Sequence, residues 1–178
     1  MIVGTFVNGL VNNGGLGQFP PALTIQHGAG FSSIIVSLYS IVGILGKLLL
    51  GHVSDKYGVK AGIIYTTIGF VATYALMLFS DVQFAVYTMA VLFGISNANA
   101  TVLAPLLTNA IFPSNEYSEA YGFVQSGSQF GMAAGSFAVA SIADLSGGYS
   151  LSWIIMMILC VVAGLCWYFA ISRAKKYS

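Results

Sequence analysis

The sequence predicts an all-α integral membrane protein: six transmembrane helices packed as a single bundle over residues 1–178. Charge is scarce. Only 6% of the 178 residues are charged and 57% are hydrophobic, against about 25% charged residues in an ordinary soluble domain, so a water-exposed surface cannot be assembled. With Lys47 the one exception, the charges fall in the short breaks between long apolar runs or in the tail after the last. Each run approaches the roughly 20 apolar residues that carry a helix across a hydrocarbon core. Six Lys and Arg against five Asp and Glu leave a net charge of +1, which gives nucleic acid no basic footprint.

The uncharged runs are 2–23, 32–50, 62–80, 84–112, 120–143 and 150–172. The first holds Asn8, Asn12, Asn13 and Gln18. Its second half, with Gly14, Gly15, Gly17, Pro20 and Pro21, predicts an irregular backbone of the kind tolerated beside cavities. In the second run Ser40, Gly43, Lys47, Gly51 and Ser54 fall along one side at about 100° per residue, and Leu38, Val42, Leu45 and Leu49 along the other. The fourth run carries Asn97, Asn99 and Asn109, and Pro105 should kink it near Thr101. In the fifth, Gly127, Gly131 and Gly135 repeat every four residues as a small-residue stripe for close helix packing, while Gln125 and Gln129 lie on nearly the opposite face. The third and sixth runs contain no Asn, Gln or charged residue and read as peripheral.

Orientation follows from the basic residues. Lys56 and Lys60 follow the second run and Arg173, Lys175 and Lys176 follow the sixth, whereas the breaks after runs one, three and five carry no Lys or Arg. The positive-inside rule places both termini in the cytoplasm of a multi-pass cell-membrane protein. Met1 begins almost inside a span, with no basic leader before it, so a cleaved secretory signal is not expected.

Amides buried in hydrocarbon need partners, so the helices that bear them should face one another or a water-filled cavity. The plainer role for them is interhelical hydrogen bonding. Lys47 is the only charge inside a run. It reads either as a functional cation or as a side chain reaching toward the cytoplasmic interface near Asp55. No Asp or Glu lies within a run to neutralise it, which points weakly to an anionic ligand. Cys160 and Cys166 match neither a redox pair nor a metal spacing, and no metal or cofactor is expected. An enzyme is not expected either: a six-span serine protease would need G-x-S-G, which is absent, and His27 and His52 fall at the ends of runs, leaving Ser126 and Ser128 without a base.

Between the second and third runs the chain reads Gly51-His52-Val53-Ser54-Asp55-Lys56-Tyr57-Gly58-Val59-Lys60. This G-x-x-x-D-K-x-G-x-K stretch resembles the signature loop of the major facilitator superfamily. Gly58 would permit the sharp turn, and Asp55 could pair with Lys56 or Lys60 or face a helix N-terminus. The Asp144-Leu145-Ser146-Gly147-Gly148-Tyr149 turn and the stretch Pro21 to Phe31 are similar to monocarboxylate and oxalate/formate type members in their C-terminal half.

The resemblance implies one six-helix half of a transporter whose other half, or a second copy, completes it. Lys47 then stands where those members often carry a cation, and runs one, two, four and five line a cavity. The implied solute-binding residues are Lys47, Asn12, Asn97, Gln125 and Gln129, and the implied gating motif is Gly51, Asp55, Lys56, Gly58 and Lys60. The expected function is secondary transport of a small anionic solute, such as a carboxylate, by alternating access. The alternative is a non-transporting accessory or structural subunit of the membrane.

Overall fold

The computed structural model describes residues 1–174, apart from the side chains of Asn99 and Ala100; Lys175 and Lys176 of the basic tail lie outside the described residues. The chain forms α1 (Ile2–His27), α2 (Ala29–Tyr57), α3 (Val59–Met77), α4 (Gln83–Ser96), a π-helical turn (Asn99–Leu103), α5 (Ala104–Ile111), α6 (Tyr117–Ser146) and α7 (Ser150–Ala174). The π turn joins α4 to α5 within one rod, so the six expected runs correspond to six rods. Four of them, Ala29–Tyr57, Val59–Met77, Gln83–Ile111 and Ser150–Ala174, are long and apolar enough to cross a membrane. At 26 and 30 residues α1 and α6 have the length. Their Asn, Gln, Gly and Ser hold them below the same hydropathy.

Three local expectations change. Gly51 to Lys60 is not a loop, because α2 continues to Tyr57, α3 starts at Val59, and Gly58 alone makes the connection at φ 84 and ψ 161. That backbone region belongs essentially to glycine, so one residue reverses the chain and its neighbours stay helical. Nor is the second half of α1 irregular: the helix runs through Pro20 and Pro21 to His27. Its glycines serve packing instead. A Cβ on Gly14 would lie 2.9 Å from Val139 Cγ2, and one on Gly15 would lie 2.9 Å from the Tyr74 hydroxyl. Finally, Pro105 sits in the first turn of α5 after the π turn, where a missing N–H costs nothing; a change of helix type stands in place of a simple kink.

The rods pair α1 with α6, α2 with the α4 rod, and α3 with α7. Numbered as rods one to six, these pairs are 1·5, 2·4 and 3·6, the pattern produced when two three-helix units are exchanged by a two-fold axis. Phe19 of α1 is fully buried and meets Tyr74 of α3, Phe93 of α4 and Trp153 of α7 at ring-centroid distances of 5.5, 5.1 and 5.3 Å. Apolar packing therefore centres on α1, the helix with the most amides. Toward the Gly58 end a second cluster joins Leu50, Ile63, Leu103, Leu107, Trp167 and Ile171.

Candidate functional site

The small-residue stripe of α6 packs directly on α1. A Cβ on Gly131 would collide with the Phe6 carbonyl, one on Gly135 with the Leu10 carbonyl, and one on Gly9 of α1 with the Ser128 carbonyl. Such close approach brings side-chain amides within reach of the opposite backbone. Asn13 Nδ2 donates to the Met132 carbonyl at 2.6 Å, Ser136 Oγ to the Asn13 carbonyl at 3.0 Å, and Gln18 Nε2 to the Ser136 carbonyl at 3.2 Å. At the end of this seam the Tyr149 hydroxyl donates to Gln18 Oε1 at 3.1 Å. Asn13 and Gln18 are thus interhelical ties.

One turn face away, Asn12 is 2% exposed, and its Nδ2 donates to Asn97 Oδ1 at 2.5 Å. The structure thereby brings together two of the five solute-binding candidates, across α1 and the end of α4. Asn97 lies two residues before the π-helical segment and caps α4 through its own N–H to the Phe93 carbonyl at 2.8 Å. The Asn12–Asn97 pair therefore couples α1 to the point where the fourth rod changes helix type.

The other three candidates lie elsewhere. Gln129 is exposed and Gln125 half-buried along a groove of about 580 Å³ on the outward face of α6, which they share with Tyr121, Ser126 and Phe130. Gln125 Oε1 is buried there and has no hydrogen-bond partner among the described residues. Lys47 is exposed on α2, and so is Ser40. Ser54, expected on the same side, is instead buried where α2 meets Gly62 of α3. Gly46 rather than Gly43 makes the closest approach to the fourth rod: its Cβ would fall 2.6 Å from the Gly94 carbonyl. Among the described residues no polar contact links Lys47 to Asn12, Asn97, Gln125 or Gln129.

At the Gly58 end, Asp55 is exposed and no ion pair joins it to Lys56 or Lys60 among the described residues. The lysines turn to aromatic rings, Lys56 Nζ 5.3 Å from the Tyr57 centroid and Lys60 Nζ 4.9 Å from that of Tyr168 on α7.

A polar cleft that sequence reading missed lies at the opposite end, where the close of α1 meets the α3–α4 and α6–α7 turns. It measures about 560 Å³ and is lined by Gln26, Asp81, Asp144 and Tyr149 with Trp153. Gln26 Nε2 donates to Asp81 Oδ1 at 3.1 Å, and His27 Nε2 lies 2.6 Å from the Ser80 carbonyl. Burial, and then the nearby Asp144 carboxylate, hold the Tyr149 hydroxyl above its ordinary pKa, so it remains a donor to Gln18 across the neutral range. Asp81 and Asp144 were visible as charges between runs, but the cleft exists only because three distant connections converge.

The arrangement places polar side chains between helices, and among the described residues no nucleophile and base are assembled. The family model described as Major Facilitator Superfamily matches residues 1–178. The tetracycline resistance protein, class H, of Pasteurella multocida is 28% identical over 99 residues, covering 56% of this chain and 24% of that protein. The class G tetracycline resistance protein of Vibrio anguillarum is 26% identical over 144 residues, covering 76% of this chain and 35% of that protein. The matched stretches thus span about a quarter and about a third of those relatives. No solved structure gives a significant match.

Proposed function

Because the chain belongs to the major facilitator superfamily, we propose that it forms the C-terminal six-helix half of a secondary transporter that moves a small anionic solute by alternating access. The family match along the whole chain carries the transporter part of this reading; the choice of half rests on the resemblance of the Pro21–Phe31 and Asp144–Tyr149 stretches, and the anionic solute on Lys47. All six rods cross the cell membrane with both ends cytoplasmic, and Asn13 and Gln18 of α1 are tolerated because they donate to backbone carbonyls of α6. The Asn12–Asn97 pair, the Gln125–Gln129 face and Lys47 contribute this half of the solute path. A separate N-terminal half or a second copy supplies the other wall. Lys47, without an acid beside it, supplies the charge that attracts the solute. Asp55 and Gly58, at the end of α2, set the balance between conformations rather than touch the solute. No catalytic step is involved.

The tetracycline resistance relatives favour a second reading, export of a drug of that kind. Uptake of radiolabelled formate, oxalate and lactate, and accumulation of tetracycline, can be compared in cells expressing the chain with its completing half. Saturable carboxylate flux that falls at least ten-fold in Lys47→Gln supports the first reading. Tetracycline export indifferent to Lys47→Gln supports the second. No flux of either from protein shown to be inserted in the membrane leaves the accessory subunit. In liposomes the purified chain alone, as a demonstrated monomer, is expected to give no saturable uptake.

A further inference from the structure

On the side of the bundle away from the Asn12–Asn97 pair, α3 and α7 meet where Gly164 faces Thr67, and a Cβ at Gly164 would collide with the Thr67 hydroxyl. Beside this contact runs a groove of about 160 Å³ lined by Ile63, Ile64, Ile68, Val161, Leu165 and Tyr168. Ile64, Ile68 and Leu165 are each at least half exposed. Both helices are long and apolar enough to cross a membrane, so lipid chains are the solvent for this surface.

The end of the groove differs from its walls. Lys60, one turn before Ile64, holds its ammonium over the Tyr168 ring at 4.9 Å, which fixes a cation at the groove mouth. Arg173 is exposed at the same end of α7 and adds a second positive charge. The apolar groove thus ends in a held cation with a second positive charge on the same helix end, and the molecule that matches both is an amphiphile with an anionic head.

We propose that the α3–α7 groove is a binding site for an anionic phospholipid, with one acyl chain running along Ile64, Ile68 and Leu165 and the phosphate received by Lys60. Basic residues just cytoplasmic of a span attract anionic headgroups; here the trough adds a position to the attraction. The site is independent of the solute path and stands whether or not the transport reading holds.

Native mass spectrometry of the purified chain offered equal amounts of dioleoyl phosphatidylglycerol and dioleoyl phosphatidylcholine tests it. Phosphatidylglycerol should be retained at least five-fold over phosphatidylcholine. Lys60→Gln should reduce that preference by roughly five-fold. Lys56→Gln removes the same charge from the neighbouring surface but leaves the groove intact, and should keep the preference within two-fold. Helix content by circular dichroism confirms that each variant is folded. The proposal is overturned if the parent chain holds both lipids equally, if a folded Lys60→Gln keeps the full preference, or if Lys56→Gln lowers it as much as Lys60→Gln. Binding of sn-glycerol 3-phosphate as tight as that of the lipid would also overturn it, since it would make the trough irrelevant.

Discussion

The seam between α1 and α6 and the outer face of α2 invert the usual link between apolarity and burial. Along the seam, helices too polar to pass for spans by hydropathy touch backbone to backbone through Gly9, Gly131 and Gly135. In α2 only 22% of the most apolar stretch is buried, and Ile41, Ile44, Leu45 and Leu48 all stand exposed. Apolar side chains need no protein partner in lipid, whereas amides and exposed peptide groups do. Along these two faces hydropathy marks what faces outward, and small and polar residues mark the seam that holds α1 to α6.

Substituting the glycines is the strongest way to break that contrast. Gly131→Leu would drive a side chain into the Phe6 carbonyl, and a backbone atom cannot move aside. We expect a loss of about 3 kcal/mol or more, read as a fall in the denaturant needed to unfold the detergent-solubilised chain. Gly122→Leu on the same helix, where a Cβ meets nothing within 4 Å, should leave stability nearly unchanged. Equal losses from the two would mean that the seam is not the structural axis.

The two ends of α2 are each set by a glycine. Gly28 and Gly58 have nearly identical backbones, φ 86 and ψ 163 against φ 84 and ψ 161, in a region essentially restricted to glycine. Gly58→Ala should cost about 1–3 kcal/mol in the same unfolding measurement, even though a Cβ there meets no neighbour. A neutral result would show that the turn relaxes.

The exposed face of α2 gains its meaning from Lys47. In the completed transporter Lys47→Gln should weaken anion affinity by about ten-fold, on the order of 1.4 kcal/mol, as read by equilibrium binding, while Lys47→Arg keeps part of it because the charge remains. Unchanged affinity in Lys47→Gln, with ready cytoplasmic labelling of a cysteine at that position, would assign the side chain to the membrane interface.

The smallest effect belongs to the amide pair. A double-mutant cycle with Asn12→Leu and Asn97→Leu should give a coupling of about 0.6 kcal/mol and not above about 1.7, the range for such bonds in membranes. A larger coupling would mean that the pair governs the π-helical segment beside it and not only the contact between two helices.

Much of this was legible in residue order because a bilayer imposes one-dimensional rules. Six runs, the charges between them, the packing stripe of α6 and the turn at Gly58 all follow from length, charge and glycine spacing. The same rules mislead where a residue's partner is remote. Pro20 and Pro21 suggested a break, yet α1 passes through them, and Ser32 of α2 donates to the Pro20 carbonyl there. Gly51 to Tyr57 carries charge and glycine like a loop, yet nothing local stops the helix before Gly58.

Sequence alone fixed which residues are costly in hydrocarbon: Asn12, Asn13, Gln18, Asn97, Gln125, Gln129 and Lys47. It could not sort them, because an amide's role depends on what stands opposite, and that is set by helices far away in the chain. Tertiary structure made Asn13 and Gln18 ties to α6, paired Asn12 with Asn97, and left Lys47 and Gln129 facing outward. The reason is one of range: hydrophobic patterning acts within a helix, whereas a hydrogen bond or a close glycine contact is decided by a neighbour that only the fold supplies.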